Sequence, residues 1–125
     1  MPSAPETITL TVTADPRFAR LVRMTASNVA MLSSMSVDRV EDVRMAAEEA
    51  FIYACSAQPA GPLEVVFTVD DEHVALAFTL TCASFSASGD DETAAYADLI
   101  LAAVADRYEK TEGPATIHLD LRADV

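Results

Sequence analysis

The chain predicts an α+β fold: a two-layer α/β sandwich in the order β-α-α-β-β-α-β-β, with a mixed sheet covered on one face by helices. Three observations carry this. Four segments alternate apolar with more polar residues, as strands with one buried face do. Three longer segments carry apolar residues at helical spacing. The 125 residues are 51% hydrophobic and contain no Pro/Gly-rich linker, which suits one domain with a real core.

The first strand is Thr7 to Thr13, where Ile8, Leu10 and Val12 alternate with threonines. Asp15-Pro16 marks a helix start, because Asp caps free N–H groups and Pro is preset for the first helical position. Phe18, Leu21, Val22, Val29 and Leu32 form that helix's apolar stripe. Ser36 caps a second helix with Asp38 in its first turn; Val40, Val43, Ala47, Ala50, Phe51 and Ala54 line its buried face, and Glu41/Arg44 and Arg44/Glu48 sit at ion-pairing spacing. Pro59-Ala60-Gly61-Pro62 ends it. Leu63, Val65, Phe67 and Val69, then Val74, Leu76, Phe78 and Leu80, alternate on either side of a short polar link and read as a hairpin. Ala83 to Gly89 reads as a loop. A third helix capped by Asp90 or Asp91 presents Tyr96, Leu99, Ile100, Ala103 and Val104; Arg107 to Thr111 is a short strand; and Ile117, Leu119 and Leu121 alternate in the last one. Residues 1–5 read as a flexible N-terminal tail and 6–125 as a single domain.

Composition excludes several functions. The three glycines, Gly61, Gly89 and Gly113, are too far apart for G-x-G-x-x-G, and the single lysine, Lys110, follows no Gly-rich turn, so no P-loop is present. A net charge of −12 with 8 basic residues argues against direct nucleic acid or anionic membrane as partner, since both bind through dense Lys/Arg surfaces. Cys55 and Cys82 form no C-x-x-C and read as two buried free thiols in a reducing compartment. With no spanning run and no signal peptide, the expected location is cytoplasmic. His73 and His118 lie apart from other ligating residues, and the acidic clusters match no EF-hand spacing, so no metal site is expected. Ser27, Ser33, Ser34 and Ser36 have no His/Asp set to make a hydrolase triad.

Two features remain. Helix 2 carries Ala46-Ala47-Glu48-Glu49-Ala50-Phe51-Ile52-Tyr53-Ala54, and the third strand runs into Leu80-Thr81-Cys82-Ala83-Ser84-Phe85-Ser86. With the order of elements over about residues 6–123, these resemble the ATP-binding fold of histidine kinases and gyrase-type ATPases, and within it the anti-sigma factor serine kinases. The resemblance implies a Glu on helix 2 as general base and an Asn four residues later holding Mg²⁺; Glu49 falls on the first position, Tyr53 on the second. A phenol is a poor and bulky replacement for an amide carbonyl on Mg²⁺, and its ring would fill space where metal and phosphate sit. The family's Asp-x-Gly-x-Gly, which reads adenine, is matched by Cys82, Ser84 and Ser86; a thiol is a weak hydrogen-bond partner. At the entry to the third helix, where the family has Gly-x-Gly, alanines follow Asp90, Asp91 and Glu92, which repel phosphate.

The resemblance therefore implies a serine/threonine protein kinase scaffold with a degenerate ATP site. The expectation is a regulatory module that has no cofactor and binds a sigma factor or an anti-anti-sigma-type antagonist, with a homodimer possible. Two alternatives stand beside it: a divergent ATP-dependent kinase, with ATP and Mg²⁺ as cofactors, and a sensor that reuses the vacated pocket for a small ligand. Arg17, Arg20 and Arg23 repeat every third position on helix 1, and with Arg39 and Arg44 they place five of the 8 basic residues between positions 17 and 44. A solvated helix face accounts for them; the sharper reading is an arginine stripe that docks an acidic partner. Met24, Met31, Met35 and Met45 lie near the same helices, mostly as core, with exposed ones adding contact surface.

Overall fold

A computed structural model describes residues 4–58, 60–85 and 91–125, with nothing said of the Asp91 side chain. The elements are β1 (Glu6–Thr13), a single 3-10 turn (Pro16–Phe18), α1 (Ala19–Ala30), α2 (Val37–Ala57), β2 (Pro62–Val69), β3 (His73–Thr79), α3 (Asp91–Val104), β4 (Arg107–Thr111) and β5 (Thr116–Arg122). Most of the expected N-terminal tail lies outside the described residues, as do Ser86, Gly89 and Asp90.

The five strands form one sheet in the order β1-β2-β3-β5-β4. Every neighbouring pair is antiparallel, which corrects the expectation of a mixed sheet. The reason is arithmetic of direction. Two helices connect β1 to β2, so the chain re-enters the sheet reversed. One helix connects β3 to β4, which leaves those two parallel, but β5 lies between them and is antiparallel to both.

Alternation fixes which side of the sheet is covered. Leu63, Val65, Phe67, Val74, Phe78, Ile117 and Leu121 are fully buried beneath the helices. In register they form apolar rows such as Val65–Phe78–Ile117 and Val69–Val74–Leu121. The opposite side, with Val66, Thr68, Ala75, Ala77, His118 and Asp120, is only partly buried.

The helix starts follow the cap chemistry. Asp15 accepts from the Arg17 amide at 3.0 Å over the Pro16 turn, and Ser36 accepts from the Arg39 amide at 3.2 Å. The buried faces of α1 and α3 differ from expectation. On α1 the buried residues are Val22, Ala26, Val29 and Ala30, whereas Leu21 and Leu32 are 47% and 63% exposed. On α3 the buried positions are Ala97 and Leu101, while Tyr96 and Leu99 are 58% and 69% exposed and Ala103 also faces out. From Ala94 to Val104 only Asp98 is charged, so apolar periodicity says nothing about which side faces in. Cys55 is buried, and burial, with Asp15 nearby, pushes its thiol up to about 11; Cys82 is only partly buried, which corrects the reading of two buried thiols.

Two polar residues lock the layers together. Arg39 donates to the carbonyls of Arg122 and Val104 at 2.8 and 3.1 Å and to the carboxylates of Asp42 and Asp106 at 3.0 and 2.6 Å. Gln58, at the end of α2, donates to the Pro62 carbonyl at 3.0 Å and accepts from the amides of Thr81 and Cys82. A Cβ at Gly61 would stand 2.6 Å from the Gln58 amide nitrogen, so a larger residue there would push that side chain off its bonds. Among the described residues no helix is long and apolar enough to cross a membrane.

Candidate functional site

Glu49 and Tyr53 stand one turn apart on α2, so they share a side of the helix. Tyr53 is 3% exposed. Its ring stacks on Phe85, with centroids 5.6 Å apart and planes at 22°. The Lys110 ammonium lies 5.2 Å from the Tyr53 ring centre and 5.7 Å from that of Phe85, within cation–π range of both. Lys110 also donates to the Tyr53 hydroxyl at 3.2 Å and pairs with Asp98 of α3 at 3.1 Å. Tyr108 donates to the same carboxylate at 2.5 Å. The cleft between α2 and the 80–85 loop is thus filled by the chain's own aromatic rings and a paired cation.

The backbone explains why these groups meet. Lys110 and Tyr108 alternate to the helix side of β4, while Arg107, Glu109 and Thr111 face the open side. The 80–85 loop is sewn to the turn between β4 and β5: Leu80 N–H donates to the Ala115 carbonyl at 2.9 Å, Ala115 N–H to Cys82 at 2.9 Å, and Gly113 N–H to Ala83 at 3.0 Å. Phe85 N–H donates to the Glu112 carboxylate at 3.2 Å, which sets the ring over Tyr53. Gly113 has φ +74°, a conformation that favours glycine.

Charge follows this packing. Burial lowers the Lys110 pKa, but its bonds to Tyr53 and Asp98 outweigh burial and raise it. Burial first, then the bond to Asp98, raises the Tyr108 pKa well above the ordinary phenol range. Glu49 lines a surface groove of about 340 Å³ together with Arg23, Met45 and Glu48. Burial, then repulsion from Glu48, raises its pKa.

The remaining expected residues are dispersed. Cys82 contributes its backbone to the Gln58 and Ala115 bonds. Ser84 is partly buried in the same loop, and Ser86 lies outside the described residues. Arg17 is 74% exposed, pairs with Asp15 at 3.3 Å and lies over the Phe18 ring. Arg20 is exposed. Arg23 turns inward to Glu48 at 2.9 Å, so Arg44 pairs with Glu41 alone and the expected Arg44–Glu48 pair is replaced. Arg39 is a clamp, with a side chain only 15% exposed. Three of the methionines expected mostly in the core, Met24, Met31 and Met45, are 49%, 69% and 44% exposed.

Sequence reasoning missed Phe85, Lys110, Asp98 and Tyr108. Alternation along β4 was the available signal: it puts the single lysine on the core side of its strand, where a charge needs partners. Among the described residues no group of three or more His, Cys, Asp or Glu side chains is placed to hold a metal ion. The chain matches no protein-family model, and no curated protein matches it.

Proposed function

We propose that this chain is a regulatory protein-binding module on a histidine kinase/gyrase-type scaffold, resembling an anti-sigma factor serine kinase that has lost nucleotide turnover. The observation that carries the reading is the Tyr53–Phe85–Lys110–Asp98 assembly, in the cleft where the resemblance puts Mg²⁺ and phosphate. These side chains do not fit Mg²⁺-ATP. A neutral phenol already bonded to an ammonium is no hard oxygen ligand for Mg²⁺. Asp98, the carboxylate that meets this assembly, already binds Lys110 and Tyr108. Phosphoryl transfer rests on the metal and positioned donors, so Glu49 by itself supplies none of it.

The docking surface in this reading is the outer side of α1. Arg17, Arg20, Leu21, Met24, Asn28 and Met31 are all exposed and recur at helical spacing. Leu21, Met24 and Met31 give adaptable apolar anchors, and the arginines give a basic rim on a protein of charge −12. An acidic protein surface, of a sigma factor or its antagonist, is the partner class in keeping with the resemblance.

The test is binding of purified sigma factors and antagonists from the same cell, with and without ATP and Mg²⁺. The expected result is saturable binding to one of them, unchanged by nucleotide and lost in Met24→Glu. Binding that needs ATP, or phosphate transfer that disappears in Glu49→Gln, would return the chain to the kinase class.

A further inference from the structure

The two edges of the sheet differ. β4, at one edge, is five residues long and carries Arg107, Glu109 and Lys110. Short, charged edges of this kind resist pairing with another chain. β1, at the other edge, is eight residues long, and from Thr7 to Thr13 it has no charged residue, no proline and no glycine. Its register with β2 runs unbroken from Glu6↔Val69 to Thr13↔Pro62, so no bulge bends it away. Among the described residues no strand pairs with its outer side, which leaves a row of backbone N–H and C=O groups open there.

The core also stops short at this edge. Phe67, Val65 and Leu63 on β2 are fully buried, while their register partners on β1, Ile8, Leu10 and Val12, are only partly buried. The strand's own sequence says what fits beside it. Thr7-Ile8-Thr9-Leu10-Thr11-Val12-Thr13 reads almost the same in both directions. An antiparallel copy centred on Leu10 sets Leu10 opposite Leu10, Ile8 opposite Val12, Thr9 opposite Thr11 and Thr7 opposite Thr13. Every pair then joins apolar with apolar or threonine with threonine on one face, as favourable cross-strand pairs do. A shift of one residue sets threonines against apolar residues. A centre at Thr9 sets Glu6 opposite Val12.

We propose that β1 is a dimerisation edge whose partner is β1 of a second copy of this chain, paired antiparallel about a two-fold axis at Leu10. The contact uses the same strand from both copies, so it closes on itself. It joins the two sheets into one and covers Ile8, Leu10 and Val12. Such a seam is at the small end of specific interfaces, so the dimer forms at micromolar or higher concentration. It is built from the sheet edge and does not rest on a partner docking at α1.

The test is sedimentation of the full chain over a concentration series, with circular dichroism to show that each variant is folded. The expected result is a reversible monomer–dimer equilibrium. The double variant Thr9→Lys with Thr11→Lys changes two exposed side chains and sets lysines opposite each other across the seam. It weakens the dimer by about tenfold or more, since directly opposed like charges destabilise a strand pair. Register is read by cysteine crosslinking in an oxidising buffer, with the unsubstituted chain as comparison. Leu10→Cys crosslinks to itself, because opposed residues of an antiparallel pair lie within disulfide reach. Ile8→Cys crosslinks when mixed with Val12→Cys and not alone. A chain that stays monomeric, a dimer unchanged by the two lysines, or Ile8→Cys crosslinking to itself as readily as Leu10→Cys overturns the proposal.

Discussion

Tyr53, between α2 and the 80–85 loop, is 3% exposed, and both its ring and its hydroxyl are engaged by Phe85 and Lys110. Met24 and Met31, on the outside of α1, are 49% and 69% exposed, with Arg17 and Arg20 beside them. Both regions belong to the same helical layer, and they have opposite energetics. The cleft has internal partners for its charge, its phenols and its rings, so it contributes stability and leaves little for a ligand. The α1 surface exposes apolar side chains that stay uncovered among the described residues, so it contributes little stability. The difference teaches that a side of the molecule left for binding is better recognised by which groups already have internal partners than by sequence motifs.

The largest effect that sharpens this contrast is Tyr53→Ala. Removing a buried ring that supports Phe85 and Lys110 costs about 3 kcal/mol in urea unfolding. A loss under about 1 kcal/mol would mean that the cleft is not held by its filling. Next is Arg39→Met, which leaves the carbonyls of Val104 and Arg122 without their donor. It costs about 2 kcal/mol, whereas an arginine serving only a partner would cost almost nothing.

Alkaline pH breaks the cleft more gradually. Lys110 and Tyr108 both have folded pKa values raised above their ordinary 10.5 and 10.0. A raised folded value gives stability that is full below the unfolded pKa and lost as pH rises through the folded one. The urea midpoint therefore falls above about pH 10, and less steeply in Asp98→Asn, which removes a cause common to both shifts. Parallel curves for the two proteins would contradict the assignment.

Glu49→Gln has a smaller effect of the opposite sign. The Glu49 pKa is raised, so folding disfavours its charged form at neutral pH. The glutamine variant is slightly more stable at pH 7 and loses that advantage in acid, where both side chains are neutral. The smallest change in stability is on the proposed docking side. Leu21→Glu shifts unfolding by no more than about 0.5 kcal/mol, while partner affinity falls at least tenfold.

Much of the sheet was legible, because β2 and β3 alternate over their whole length and β5 alternates from Ile117 on, and a two-fold period has one solution. The inward side of α3 was not legible, since nearly all of its residues are apolar and the deciding contact is Asp98 reaching Tyr108 and Lys110 on β4. Gln58 was hidden for a similar reason: its partners, Thr81 and Cys82, are more than twenty residues away. The pattern of strand directions followed from the number of helices in each crossover, which the sequence shows, but β5 lying between β3 and β4 is a tertiary outcome. Of the candidate site, Tyr53 was identified as the residue that changes the chemistry, yet Phe85 and Lys110, which hold it in place, come from a loop and an edge strand with no motif to mark them.

The most direct measurement is of whether the cleft, filled in the proposed reading, admits nucleotide. Isothermal titration of the chain with ATP and Mg²⁺ is that measurement. The account predicts no saturable heat into the millimolar range, whereas a micromolar dissociation constant that weakens further in Glu49→Gln would contradict it.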